Sequence, residues 1–184
     1  EAGVFAGITN RFGVPPDPLR RSRGELVSLA LEGETGRAGI EKIRALTARD
    51  FNPFHLAICD RTGGVVVWSD GETLHEHPIT RGPSVITERS FSAYDSERED
   101  RLGQHVRERL LGDSAPENAE LESLLKGHHE IGFEGVCVHV PDMEYATRSS
   151  TIIRFGGEVH DVKYRWADGA PCESVYNAID VDWG

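Results

Sequence analysis

Ala146-Thr147-Arg148-Ser149-Ser150-Thr151-Ile152-Ile153 sets a guanidinium and a run of small hydroxyls inside an apolar strand pattern. A guanidinium is always charged, and taking it out of water is costly unless it is paired or faces a polar cleft. Arg148 therefore needs an anion. Alternation along a strand sends Arg148, Ser150 and Ile152 to one face and Thr147, Ser149, Thr151 and Ile153 to the other. One face of this strand is expected to be polar where a pocket would need it.

Working outward, strand patterns flank this stretch at 135–140, 145–155 and 159–166, the last two joined by Gly156-Gly157. Two helices are expected before them. Ser96-Glu97-Arg98-Glu99 matches a capping box and opens a stripe of Leu102, Val106 and Leu110 that ends at Gly112. Residues 117–126 turn Leu121, Leu124 and Leu125 inward and stop at Gly127. Further upstream, alternation over 54–59, the turn Arg61-Thr62-Gly63-Gly64 and a return over 65–68 predict a hairpin, with weaker strands at 72–78 and 84–88. Another pair of helices precedes the hairpin, from the capping box Ser22-Arg23-Gly24-Glu25 to Leu31 and over 37–48. The chain opens on the strand pattern Gly3 to Thr9.

This order of strand, two helices, strands, two helices, strands is not the strict alternation of a parallel α/β fold. It predicts an α+β protein of two antiparallel sheets stacked face to face with helices outside, in a single domain over 1–184. The apolar pattern begins at once, without Met or leader, so either further residues precede it or a strand edge is left unusually bare.

With 31 acidic and 20 basic residues the net charge is −11 at pH 7, a field that repels phosphate backbones and anionic lipid. Neither nucleic acid nor membrane insertion is expected, and a small molecule is the expected partner. Three cysteines without a C-x-x-C spacing disfavour a disulfide framework and a zinc site and suit a reducing, cytoplasmic setting.

Gly-Val-Phe-Ala-Gly-Ile-Thr-Asn-Arg at 3–11, Arg21-Ser22-Arg23-Gly24-Glu25-Leu26-Val27, the paired hairpin strands and Tyr145-Ala146-Thr147-Arg148-Ser149-Ser150-Thr151 resemble the NRDE family, also called the transport and Golgi organisation protein 2 family. The resemblance implies an N-terminal-nucleophile hydrolase-like fold, a four-layer αββα sandwich. It further implies hydrolysis of an amide by a terminal cysteine whose own α-amine is the base, on residues preceding Glu1. Asn10 and Arg148 are the catalytic candidates it carries over, the arginine as a group that lowers a thiol pKa or holds an oxyanion. Arg11, Glu88 and Ser150 are expected at the substrate. Thr87-Glu88 departs from the serine-asparagine pair of many members, replacing an amide donor by a carboxylate that only accepts. The resemblance also allows a non-catalytic module that binds or carries a small hydrophobic or anionic ligand such as haem or an acyl compound. No cofactor is expected for the hydrolase.

Other clusters read as structure. Arg20, Arg21 and Arg23 flank a helix N-terminus, where an anion could bind but a solvated surface is the commoner outcome. The eight histidines include His75 and His77 two apart and the adjacent His128 and His129, without a third ligand at a recognised spacing. No metal site is expected. His139 and His160 read as sheet residues, Cys59 and Cys137 as small buried hydrophobes, and Cys172 as a thiol without an identifiable base.

Overall fold

The computed structural model describes residues 3–80, 82–91, 93, 97–110, 115–158 and 161–180. Among them are four α-helices and three antiparallel sheets, in two compact units, Glu1–His105 and Val106–Gly184. The expected α+β class holds. Ser96, Gly112, Val159 and His160, which the sequence reading singled out, lie outside the described residues.

In the first unit, β1 (Phe5–Asn10), β2 (Phe54–Asp60), β3 (Gly63–Ser69) and β4 (Leu74–Ile79) form one antiparallel sheet in chain order. The register Ile8↔Leu56↔Val67 and Ala6↔Ile58↔Val65 puts these side chains, with Phe54, on one face. Two helices, α1 (Gly24–Leu31) and α2 (Gly36–Arg44), cover that face through Leu26, Ala30, Ile40 and Ile43. Leu26, Ile43, Phe54, Leu56 and Ile58 are almost wholly buried, and burying each such side chain contributes roughly 1.5–3 kcal/mol. The opposite face carries Thr9, His55, Ala57, Val66, Trp68, His75 and His77.

The helix starts follow the sequence. Only half of the expected capping box at Ser22 forms: Glu25 Oε1 accepts from the Ser22 amide at 3.2 Å, but Ser22 Oγ accepts from Gly24 N at 3.3 Å while Glu25 N donates to Ser22 O, and the N-cap is Arg23, which has no side-chain cap. Thr35 Oγ1 caps α2 by accepting from Ala38 N at 3.1 Å. Asp60, at the end of β2, accepts from Gly36 N at 2.7 Å, so the hairpin and α2 are tied at one carboxylate. The second helix ends earlier than expected: Leu46 N donates to Ile43 O and Thr47 turns extended before a 3-10 turn at Ala48–Asp50. Nor do residues 84–88 form a strand. There Thr87 N donates to Ser90 Oγ and Arg89 N to Thr87 Oγ1, local bonds that take the place of a ladder.

α3 (Glu97–Leu110) begins with the acids Glu97, Glu99 and Asp100, favourable beside free N-terminal amides. In the second unit, α4 (Asn118–Leu125) is capped reciprocally by Glu117 and Glu120. Next comes the two-stranded sheet of β5 (His139–Val140) and β6 (Tyr145–Ala146). A three-stranded sheet follows, of β7 (Ser149–Phe155), β8 (Val162–Asp168) and β9 (Asn177–Ile179), in that order. Ile152, Ala167 and Tyr176 form its core, with Leu121 and Leu125 of α4 packed against them. Each unit thus lays helix on one face of an antiparallel sheet.

The continuous strand expected over 145–155 is broken at Thr147-Arg148. Thr147 N donates to Val138 O and its Oγ1 accepts from Val138 N, both at 2.9 Å, while Arg148 O accepts from Gly169 N. The chain changes sheets here: Thr147 is bonded towards β5, and Arg148 towards the loop after β8.

Candidate functional site

Arg148 lies in that break and is exposed. Its guanidinium makes no hydrogen bond or ion pair with another described residue, which corrects the expectation of a sheltered cation on a polar strand face. Ser150 does share a face with Ile152, and that face lies under α4. Its Oγ accepts from the hydroxyl of buried Tyr176 at 2.5 Å, so it satisfies a core phenol. Two arginines that sequence reading passed over hold the helix instead. Arg154 donates to Asn118 Oδ1 and to Pro116 O, and Arg165 to Glu122 Oε1 at 2.9 Å and to Tyr176 O at 3.0 Å.

In the first unit, β1 delivers Asn10 and Arg11 in opposite directions. Asn10, opposite Phe54, falls on the helix side and is exposed. Its side chain helps line a cleft of about 440 Å³ with Ile8, Arg23, Gly24 and Asn52 at the start of α1. The arginines there are held by protein groups. Arg20 donates to Phe51 O and Gly71 O, Arg21 to Glu25, and Arg23 to Pro53 O.

Arg11 turns to the other face of the sheet. Its Nη1 donates to Ser90 O at 3.0 Å, its Nη2 to Phe91 O at 3.1 Å, and the guanidinium carbon sits 4.5 Å from the centre of the Trp68 ring. Burial lowers its pKa, partly offset by Asp70. Phe91, held in the left-handed region at φ 57°, stacks 5.9 Å from Trp68 and lies 4.9 Å from His77. Glu88, expected at a substrate, faces Arg98 at 3.1 Å and Arg89 at 3.3 Å. Its carboxylate is engaged by cations of its own unit.

His55, which the sequence did not single out, is 1 % exposed at the centre of this cluster. Its Nε2 lies 2.9 Å from Ser90 O and 3.1 Å from Arg11 Nη1, and its Nδ1 has no hydrogen-bond partner among the described residues. Burial pushes its pKa down to about 4, and Arg11 adds to the fall, outweighing the carbonyl of Ser90 and the charge of Glu88. The folded state therefore binds the proton more weakly than the unfolded chain. Its contribution to stability is complete above the unfolded value of about 6.5 and is lost as pH falls towards 4, at up to ~1.4 kcal/mol per pH unit. Urea midpoints measured from pH 7 to pH 4 should fall in the wild type and flatten in His55→Gln.

The second unit gathers a set that linear spacing concealed. His128, Cys137, His139 and Cys172 each bring one donor atom, and the four atoms lie within 4.8 Å of one another. Cys137 Sγ is 3.4 Å from His139 Nε2 and 3.6 Å from Cys172 Sγ, and His139 Nε2 is 3.2 Å from Cys172 Sγ. Of the strand expected over 135–140 only β5 forms, and Cys137 stands in a bend two residues before His139. Val136 N and Cys137 N both donate to Gly127 O, drawing His128 up beside them. Gly135 is required by that approach, because a Cβ there would stand 2.9 Å from Cys137 O and 3.2 Å from His129 N. Cys172 arrives from the turn after β8, where Glu173 N and Ser174 N donate to Ala170 O. Burial and the neighbouring Cys137 thiol raise the Cys172 pKa. Sequence reading missed the set because its two halves lie far apart along the chain.

No family model and no curated protein matches the chain. Among the described residues no helix is long and apolar enough to cross a membrane.

Proposed function

We propose that the protein is an amidohydrolase of the NRDE family with an N-terminal-nucleophile-type sandwich, cleaving a carbon-nitrogen amide bond of a small cytoplasmic substrate. The nucleophile is a terminal cysteine thiolate on residues preceding Glu1. It attacks the amide carbonyl; the α-ammonium formed from its own base protonates the departing amine; water then releases the acyl group as a carboxylic acid. Asn10 is the residue of this chain best suited to the oxyanion: it is exposed, at the end of a strand, and its amide makes no hydrogen bond with a described residue. Arg11, on the opposite face from Asn10, holds the turn at 87–91 through Ser90 and Phe91.

One observation carries the reading. Each unit lays its helices on one face of an antiparallel sheet and leaves apolar and aromatic residues on the other, Val66 and Trp68 in the first and Ile153, Tyr164 and Trp166 in the second. Two such halves are what an αββα sandwich requires. The sequence resemblance supplies the chemistry.

The test is amine release from a panel of short N-acyl amides by the protein carrying its terminal cysteine. Cysteine to alanine should abolish turnover, and Asn10→Ala should lower kcat by roughly 10²-fold. Turnover unaffected by the loss of that thiol would refute the reading.

A second reading, a carrier of haem or an acyl compound, is favoured by the ring cluster of Trp68, His75, His77 and Phe91 beside Arg11. His75 stacks 4.0 Å from Trp68 and His77 is exposed. It predicts ligand uptake that survives loss of the thiol and falls in His77→Ala.

A further inference from the structure

We propose that His128, Cys137, His139 and Cys172 form a structural binding site for one zinc ion, independent of the amide chemistry. Geometry is the first argument. A tetrahedral zinc with bonds of about 2.3 Å to sulfur and 2.0–2.1 Å to nitrogen sets its ligands about 3.8 Å (sulfur to sulfur) and 3.6 Å (sulfur to nitrogen) apart. The observed Cys137–Cys172 separation is 3.6 Å, and His139 Nε2 stands 3.4 and 3.2 Å from the two sulfurs. These three edges make one face of a coordination tetrahedron to within a few tenths of an ångström. His128, whose ring lies 5.3 Å from that of His139, supplies the fourth corner.

Donor chemistry is the second argument. Two thiols and two imidazoles suit a borderline-soft ion, and with no carboxylate among the four the set is unlike a calcium or magnesium site. Four protein ligands leave no open position, which makes the site structural. It would join the segment around 127–139 to the turn after β8, two stretches poor in regular structure.

A disulfide accounts for less. It needs the sulfurs at about 2.0 Å, and it gives the two imidazoles no part. The adjacent His129 serves as an internal control, because its Nδ1 accepts from Ile131 N at 3.2 Å and it stands outside the set.

Cobalt(II) titration of the reduced, metal-free protein reads the site directly. The expected result is one cobalt per chain, with a tetrahedral d–d envelope and a thiolate-to-cobalt charge-transfer band, both displaced by one equivalent of zinc. Cys137→Ser and Cys172→Ser should each lose about half the charge-transfer intensity, His128→Ala and His139→Ala should bind more weakly with a shifted d–d envelope as water takes the vacated position, and His129→Ala should bind as the wild type does. Chelation should lower the thermal midpoint of the wild type. Should a variant fail to fold, zinc-edge X-ray absorption on the loaded wild type decides, with two sulfur and two nitrogen scatterers expected. Failure of the reduced protein to take up metal, uptake indifferent to Cys137→Ser and Cys172→Ser, or a zinc shell of oxygen and nitrogen alone would each overturn the proposal.

Discussion

Gly39→Val is expected to abolish the cooperative unfolding transition of the Glu1–His105 unit, at a cost of about 3 kcal/mol or more. α1 and α2 meet at their closest where two glycines face backbone. A Cβ on Gly39 would lie 2.5 Å from Ala30 O, and one on Gly33 would lie 2.4 Å from Gly39 N. Both obstacles are main-chain atoms, so no rotamer change relieves them. The helices must separate, and separation withdraws Leu26, Ala30, Ile40 and Ile43 from the sheet together. Gly3→Ala, where nothing lies within 4 Å of the added carbon, is the matched control. Urea unfolding followed by far-ultraviolet circular dichroism measures both. A destabilisation below ~1 kcal/mol in Gly39→Val would mean that the close crossing of α1 and α2 is wrong.

Arg11→Ala should cost about 3 kcal/mol, because it removes two charge-assisted bonds worth ~1.5–3 kcal/mol each, with some recovery through water. The carbonyl of Phe91 loses its donor, that of Ser90 keeps only its contact with His55 Nε2 at 2.9 Å, and Ser90 is 0 % exposed. The turn at 87–91 should then detach from the sheet, with slower-relaxing Trp68 fluorescence as its local signature. Lysine cannot reproduce the forked donation, so Arg11→Lys should recover less than half of the loss. If Arg11 were held ready for a substrate anion instead, its removal would change stability little.

How far the sequence could be read depends on the range of the interactions. Strand alternation at Phe54-Leu56-Ile58 and the apolar stripes of the helices at 24–31 and 118–125 are local, and the elements they predict are present within a few residues. The hairpin turn at 61–64 was legible for the same reason. Arg148 was misread because alternation assumes an unbroken strand. The switch at Thr147 is made by bonds to Val138 and Gly169 that sequence position does not reveal. His55 carried no signal at all: an isolated histidine in an apolar strand reads as a sheet residue until Ser90 and Arg11 are brought to it. The thiol and imidazole cluster was hidden by distance, since Cys172 joins from 33 residues beyond His139. Asn10 and Arg11, adjacent in a single motif, proved to serve opposite faces of one sheet, as strand geometry demands.

Intact-mass spectrometry tests the central claim of an amidohydrolase most directly. The protein extended to the proposed terminal cysteine is incubated with an activated N-acyl substrate and quenched in acid within one turnover. A mass increase equal to one acyl group, mapped to the terminal thiol and discharged by water, is the predicted result. Substrate consumed with no acylated protein, or acylation mapped to Cys59, Cys137 or Cys172, would contradict it.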